Sequence, residues 1–317
     1  MMIIICIIAI MIGNVEIHAQ FPDRVGMPEC DAISADQPGL VWGVSCMMTP
    51  GYLSIADPAQ GTVSGDDASF AIGPADKAVI SLGDGGSAII TFQRPITDGP
   101  GADFAVFENA FDDYFLEFAF VEVSSDGKHF VRFPSTSLTQ AKQQIGPFMR
   151  IPDVRALHNL AGKYRAGYGT PFDLSELKDS IGIHLQSITH VRVIDVVGSI
   201  DKQFARYDGK GNIINDPWPT PFSSCGFDLD GIAVINEQNI IGDQLSFAPN
   251  PVYAGHNGGM VRVLEGAREL SVYSMQGEYI REGIDGNIQS AGLPGGVYIV
   301  KGIQNGQLRS GMLMIMP

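Results

Sequence analysis

The chain has 317 residues, 45% hydrophobic and 17% charged side chains, and a formal charge of −15. A chain this acidic is repelled by phosphate backbones, which argues against nucleic acid as a partner. Charged content below the usual figure of about 25%, with 38 Gly and 19 Pro, points away from long salt-bridged helices and toward short strands and many turns.

The chain opens with an apolar run from Ile3 to Ile12, followed by Gly13-Asn14 and Ile17-His18-Ala19. About ten apolar residues are too few to span a bilayer and match the core of a signal peptide, with cleavage expected after Ala19. No basic residue precedes the run, and Cys6 lacks the small residues that come before a lipidated cysteine. The organisation expected is a signal peptide over 1–19, a main domain over 20–238 and a C-terminal domain over 239–317. The mature chain is expected to have no transmembrane span. It retains Cys30, Cys46 and Cys225: the first two flank a Pro/Gly stretch and could close a loop, and the third suits a tight corner.

Strand signals then follow in quick succession. Ala78–Leu82 and Ser87–Phe92, separated by Gly83-Asp84-Gly85-Gly86, read as a hairpin. Phe104–Phe107, Phe118–Ser124, His129–Phe133, His190–Val197 and Gly231–Ile235 are further strands, and Leu174–Asp179 a helical turn. Short strands with Gly/Pro turns and no long helical period predict an all-β protein: an antiparallel β-sandwich followed by a small sandwich.

Two sets of side chains are candidates for function. Asp103, Glu108 and Asn109 flank one apolar strand, and Asp228 and Asp230 alternate on the last strand of the main domain. Residues two apart share a face, so paired carboxylates there repel unless a cation or hydrogen-bond donors intervene. Calcium takes six to eight oxygen ligands and suits such a set; backbone N–H groups at strand ends are the competing explanation. Asp195, amid apolar residues, is either at a site or satisfied by donors such as Arg192. Asp208–Asp216 has the outline of an EF-hand loop, but Lys210 and Pro219 stand at ligand positions. The second set is aromatic: Tyr164, Tyr168 and Phe172 in one loop, Trp218 and Phe222 in another, either a stacking surface for a ligand or plugs for the sandwich ends.

Catalytic signals are weak. There is no Gly-x-Ser-x-Gly elbow, His-Glu-x-x-His or phosphate loop. Glu117 and Glu122, placed on one strand, face opposite sides and make a poor glycosidase pair.

The C-terminal segment contains Phe247-Ala248-Pro249-Asn250-Pro251, Leu270-Ser271-Val272-Tyr273 and Leu293-Pro294-Gly295-Gly296-Val297-Tyr298. It resembles the type A sorting domain of the type IX secretion system. That resemblance implies a small immunoglobulin-like β-sandwich, passage across both membranes, removal of the domain, and surface attachment or release. In the main domain, Leu82–Ser87, Pro100–Asn109, Val121–Gly127, Ala166–Leu174, Asn215–Thr220 and Gly226–Asp230 resemble a family of bacterial cell-surface proteins with a galactose-binding-like jelly roll. The function expected is capture of a glycan or other nutrient by a calcium-supported sandwich, with an outer-membrane transporter as a possible partner. An extracellular hydrolase and a structural adhesin are the alternatives.

Overall fold

The computed structural model describes residues 21–316 apart from 65–66, 152, 221, 238–244, 246, 249, 254–259, 264–266, 285 and 305–306. The expected signal peptide lies outside the described residues. The chain divides into two compact units, the first ending at Gln238 and the second beginning at Asn239. No helix among the described residues is long and apolar enough to cross a membrane.

In the first unit the described strands are β1 (Ile33–Ser34), β2 (Val41–Trp42), β3 (Ser45–Thr49), β4 (Ile80–Ser81), β5 (Ser87–Ile96), β6 (Phe104–Glu108), β7 (Ala119–Ser124), β8 (Val131–Arg132), β9 (Thr136–Ser137), β10 (Leu157–His158), β11 (Tyr168–Phe172), β12 (Ile188–Asp195) and β13 (Asp228–Val234). One sheet runs β1-β11-β6-β13-β2, with β4 also on β13; the other runs β3-β5-β12-β7-β8. β9 and β10 form a separate ribbon. The long strands alternate between sheets, β5 to β6 to β7 and β11 to β12 to β13, as in a jelly roll.

Alternation explains the packing. Phe104 and Val106 of β6 and Leu229, Ile232 and Val234 of β13 face Ile90, Val121, Val123, Val191 and Val193 of the other sheet. Phe104 stacks on Phe172 with ring centroids 5.3 Å apart, and Phe133 meets Phe172 edge-on at 5.0 Å. Fully burying each such ring contributes about 1.5–3 kcal/mol. The other face of β6 and β13 is also covered: Ala105, Phe107 and Ala233 pack against Ile33, Leu40 and Trp42 from the N-terminal segment.

The expected hairpin between residues 78 and 92 does not form. β4 pairs with β13, whereas β5 pairs with β3 and β12, so residues 82–86 turn the chain from one sheet to the other. Gly83 and Gly85 have φ of +74° and +72°, and a Cβ at Gly86 would lie 1.9 Å from the Leu82 carbonyl oxygen. The glycines make a corner too tight for side chains. Cys30, Cys46 and Cys225 are all free thiols, so the expected Cys30–Cys46 loop closure is absent. Cys225 is buried, and burial pushes its thiol up to about 12.

The second unit is a smaller all-β sandwich. Its described strands are β14 (Phe247–Ala248), β15 (Val252–Tyr253), β16 (Met260–Val263), β17 (Arg268–Tyr273), β18 (Tyr279–Glu282), β19 (Asn287–Gln289), β20 (Gly296–Gln304) and β21 (Gln307–Met316). The sheets run β14-β16-β19 and β15-β21-β20-β17-β18, with β15 parallel to β21. Phe247, Val261 and Ile288 from one meet Val272, Val300 and Leu313 from the other in a common core.

Candidate functional site

One end of the first unit gathers carboxylates. Glu108 closes β6, Asp228 opens β13, Asp195 ends β12 and Glu117 lies two residues before β7. Asp84 sits in the glycine corner before β5, and Asp216 holds the segment leading into β7 by accepting the Phe118 N–H at 3.0 Å. Antiparallel pairing forces this convergence, because the end of β12 lies opposite the start of β7 and the end of β6 opposite the start of β13.

Backbone donors satisfy some of these groups. Asp195 accepts N–H bonds from Gly85, Val197 and Phe227 at 2.8–2.9 Å. Its partners are thus main-chain donors, while Arg192 binds Glu122 instead. Asp84 Oδ2 takes the N–H of Ile55 at 2.8 Å and the indole N–H of Trp218 at 3.2 Å. Glu108 Oε2 takes the N–H of Ala110 at 2.9 Å.

Glu117 is different. It is half-buried and receives no hydrogen bond from a described side chain or N–H, and the charges that act on it most are those of Asp228, Glu108, Asp216 and Asp195. Burial, and after it the charge of Asp228, pushes both Glu117 and Glu108 well above the usual carboxylate range. Burial and the Asp195 charge do the same to Asp216. Burial raises Asp195 to about 7 in spite of its three donors.

The five expected metal ligands do not form one site. Glu108 and Asp228 meet at this end, with Asn109 half-buried beside Glu108. Asp103 belongs to the other end, since it precedes β6 and five strand steps separate it from Glu108, about 17 Å. There its Oδ1 accepts from Gly99 and Asn236 and its Oδ2 from Leu174, at 2.7–2.9 Å. Asp230 is held by the N–H groups of Asp76 and Lys77. For Asp103 and Asp230 local donors therefore answer the charge. Asp98, Asp103 and Asp173 form the one acidic trio among the described residues with ligand oxygens within 4.8 Å of one another. Asp208 likewise closes a polar turn, accepting from Ser137, Lys210 and Asn212.

The expected aromatic surface is also redistributed. Tyr164 and Phe172 are buried; Tyr164 donates its hydroxyl to Asp31, and Phe172 belongs to the core. Tyr168 is half-buried under the Arg165 guanidinium, 5.1 Å from its ring centroid. Neither buried ring is open to a ligand. Trp218 and Phe222 instead join rings that the sequence reading missed. Phe111, Phe148 and Phe222 are 87%, 77% and 44% exposed, with Phe148 and Phe222 centroids 5.8 Å apart. Their loops are tied together by Ile151 N–H to the Tyr114 carbonyl, Trp218 N–H to the Ile145 carbonyl and the Arg150–Asp112 ion pair.

Amide side chains, Asn215 buried and Gln144 half-buried, brace these loops. Gln144 Nε2 reaches the carbonyls of Gly198 and Asp216, and Asn215 Nδ2 those of Gln140 and Gln143. Asp216 and the loops around it are thereby fixed independently of any ligand. The donor set is hard oxygen with no His or Cys contributing, which suits calcium better than zinc.

No family model and no curated protein matches this chain. Among solved structures, it aligns with a Parabacteroides merdae β-glucuronidase with glycerol in its active site, at 11% identity and TM-score 0.23. That alignment covers 90% of this chain and 36% of the other. It also aligns with the BSP domain of a biofilm-associated protein, at 10% identity and TM-score 0.18, covering 89% and 53%. This chain thus spans about a third and about half of those proteins, and likenesses this loose carry no argument about function.

Proposed function

We propose that the protein is an extracellular ligand-capturing module whose sandwich is supported by calcium drawn to the acidic end around Glu117, Glu108 and Asp228. The C-terminal unit directs its export through the type IX secretion system, as its resemblance to type A sorting domains implies. The observation that carries the calcium reading is Glu117, a carboxylate without a described donor among four other acids. A divalent cation there would offset the repulsion among the acids at this end, where Arg206 acts on Asp84. It would also tie the end of β6, the approach to β7 and the start of β13 to one another. The exposed Phe111, Phe148 and Phe222 on the braced loops at this end support capture of a glycan or other nutrient by stacking.

The test is a comparison of melting in chelator and in millimolar calcium, with elemental analysis of the dialysed protein. A ligand that binds only the folded state adds about 2.7 kcal/mol at a hundredfold excess over its dissociation constant. Calcium should raise the melting temperature of the wild type, and Glu117→Gln should blunt the rise. Identical melting curves, with no bound metal, would remove calcium from the account. A carboxyl group with a raised pKa also suits a general acid, so release of product from any captured glycan would favour the hydrolase reading.

A further inference from the structure

A cavity of about 340 Å³ opens beside the β9–β10 ribbon, and none of the carboxylates at the acidic end lines it. Its walls include Phe21, Ser135, Thr136, His158, Glu176 and Lys210. The ribbon sets Thr136 opposite His158. The His158 ring is then fixed on two sides: Phe21 stacks on it at 4.8 Å with the planes 8° apart, and its Nε2 meets Glu176 Oε2 at 3.3 Å. Asn159 Nδ2 reaches the same Oε2 at 2.7 Å, which leaves Glu176 Oε1 to accept from a ligand.

The charge of the wall is unusual for this chain. Glu176 is hydrogen-bonded to His158, whose ring is charged only when protonated, and no described carboxylate lies within ion-pair distance of the Lys210 ammonium. Asp208, the acid nearest in sequence, spends its oxygens on Ser137, Lys210 N–H and Asn212. In a protein of net charge −15, the cavity therefore holds one ammonium group with no carboxylate paired to it, alongside the Glu176 carboxylate. Around it stand two hydroxyls, a carboxylate oxygen able to accept, and an aromatic ring. The volume is near the lower end of the range for small-molecule sites, about 300–1,000 Å³, so it holds one ring and its substituents rather than an oligosaccharide.

We propose that this cavity binds a monomeric sugar acid of the hexuronate class. The ligand carboxylate pairs with Lys210, ring hydroxyls bond to Glu176 Oε1, Ser135 and Thr136, and the ring's C–H face lies against Phe21. The assignment names a ligand class for the capture function proposed above. It rests on that reading only for the premise that the protein captures ligands, and it needs no cation at the acidic end.

The experiment titrates the full chain, with Phe21 retained, with galacturonate, glucuronate, galactose and inorganic phosphate by calorimetry. At least one hexuronate should bind, with galactose and phosphate at least about tenfold weaker. Lys210→Glu should weaken the hexuronate at least about tenfold with an unchanged melting temperature, since the side chain is exposed. Phe21→Ala should weaken it without altering the preference for the acid. Equal binding of galactose, equal binding of phosphate, no hexuronate binding at millimolar concentration, or an unaffected Lys210→Glu variant would each overturn the proposal. Calcium-dependent melting reads the acidic end and this titration reads the cavity, so either can fail alone.

Discussion

The indole N–H of Trp218 donates to Oδ2 of Asp84 at 3.2 Å and so joins the loop carrying Phe222 to the glycine corner between the two sheets. Asp84 is buried and Trp218 half-buried, so the ring is at once part of the loop surface and a donor to a carboxylate that needs one. The backbone N–H of Trp218 separately reaches the Ile145 carbonyl at 2.9 Å, tying in a third segment.

Trp218→Phe keeps a ring and deletes the indole donor. It should lower stability by about 1–2 kcal/mol, the cost of a buried acceptor losing a partner, read from the midpoint of urea unfolding. Phe222→Ala, at an exposed ring, should stay within about 0.5 kcal/mol of wild type. Equal effects of the two would show that the bond to Asp84 contributes nothing.

The acidic end makes stability depend on pH in a defined direction. Burial holds Asp195 at about 7, against 3.8 for an ordinary aspartate, and Asp230 at about 6. Between the ordinary value and the raised one the folded protein keeps protons that the unfolded chain has released, so stability falls as pH rises. In chelator, the urea midpoint should drop from about pH 4 to about pH 7, each such group contributing up to about 1.4 kcal/mol per pH unit. Calcium should flatten the drop by favouring the ionised carboxylates. A midpoint that climbs over this window in chelator would contradict the arrangement.

Gly198 has φ +75°, and a Cβ there would lie 1.5 Å from Asp216 Oδ1. Gly198→Ala should therefore cost about 3 kcal/mol or more, because both the backbone and the carboxylate must move. Gly167 has φ +83° with open space around it, so Gly167→Ala should cost only the left-handed penalty of about 1–2 kcal/mol. Chemical denaturation of the two variants separates conformational strain from collision with the acidic end.

Routing is tested by a chain truncated after Gln238, where the first unit ends. This cut keeps Asn236, whose side chain binds Asp103, and Glu237, which pairs with Arg94 at 3.1 Å. The truncated protein should fold and accumulate in the periplasm, while the full chain reaches the surface and loses its second unit. Surface display of the truncated form would end the sorting-domain reading.

Strands such as Phe104–Phe107 and Phe118–Ser124 were legible because they are continuous runs of aromatic and β-branched residues, buried on both faces. The 78–92 hairpin was misread because glycine signals a tight turn without saying which sheet the next strand joins. β1 and β2, two residues each, are too short to show any period. Glu108 and Asp228 were found from their places at strand ends. Glu117 was seen only as one of a strand pair with Glu122, yet it precedes β7, whereas Glu122 lies in the strand between Arg132 and Arg192. Tyr164 and Phe172 show why glycine-rich surroundings do not imply exposure: the loop composition is the same whether a ring turns inward or outward.

The place of β13 in its sheet bears on the order in which the chain can fold. It lies between β6 and β2, pairing Val234 with Val41 and Phe104, and it begins only at Asp228. A chain synthesised from its N-terminus, at about 5–20 residues per second, lacks the strand next to β6 until nearly all of the first unit has emerged. Such distant pairings make folding slow. Late closure of this sheet therefore leaves one side of β6 open to any other strand until the last segment of the first unit has been made.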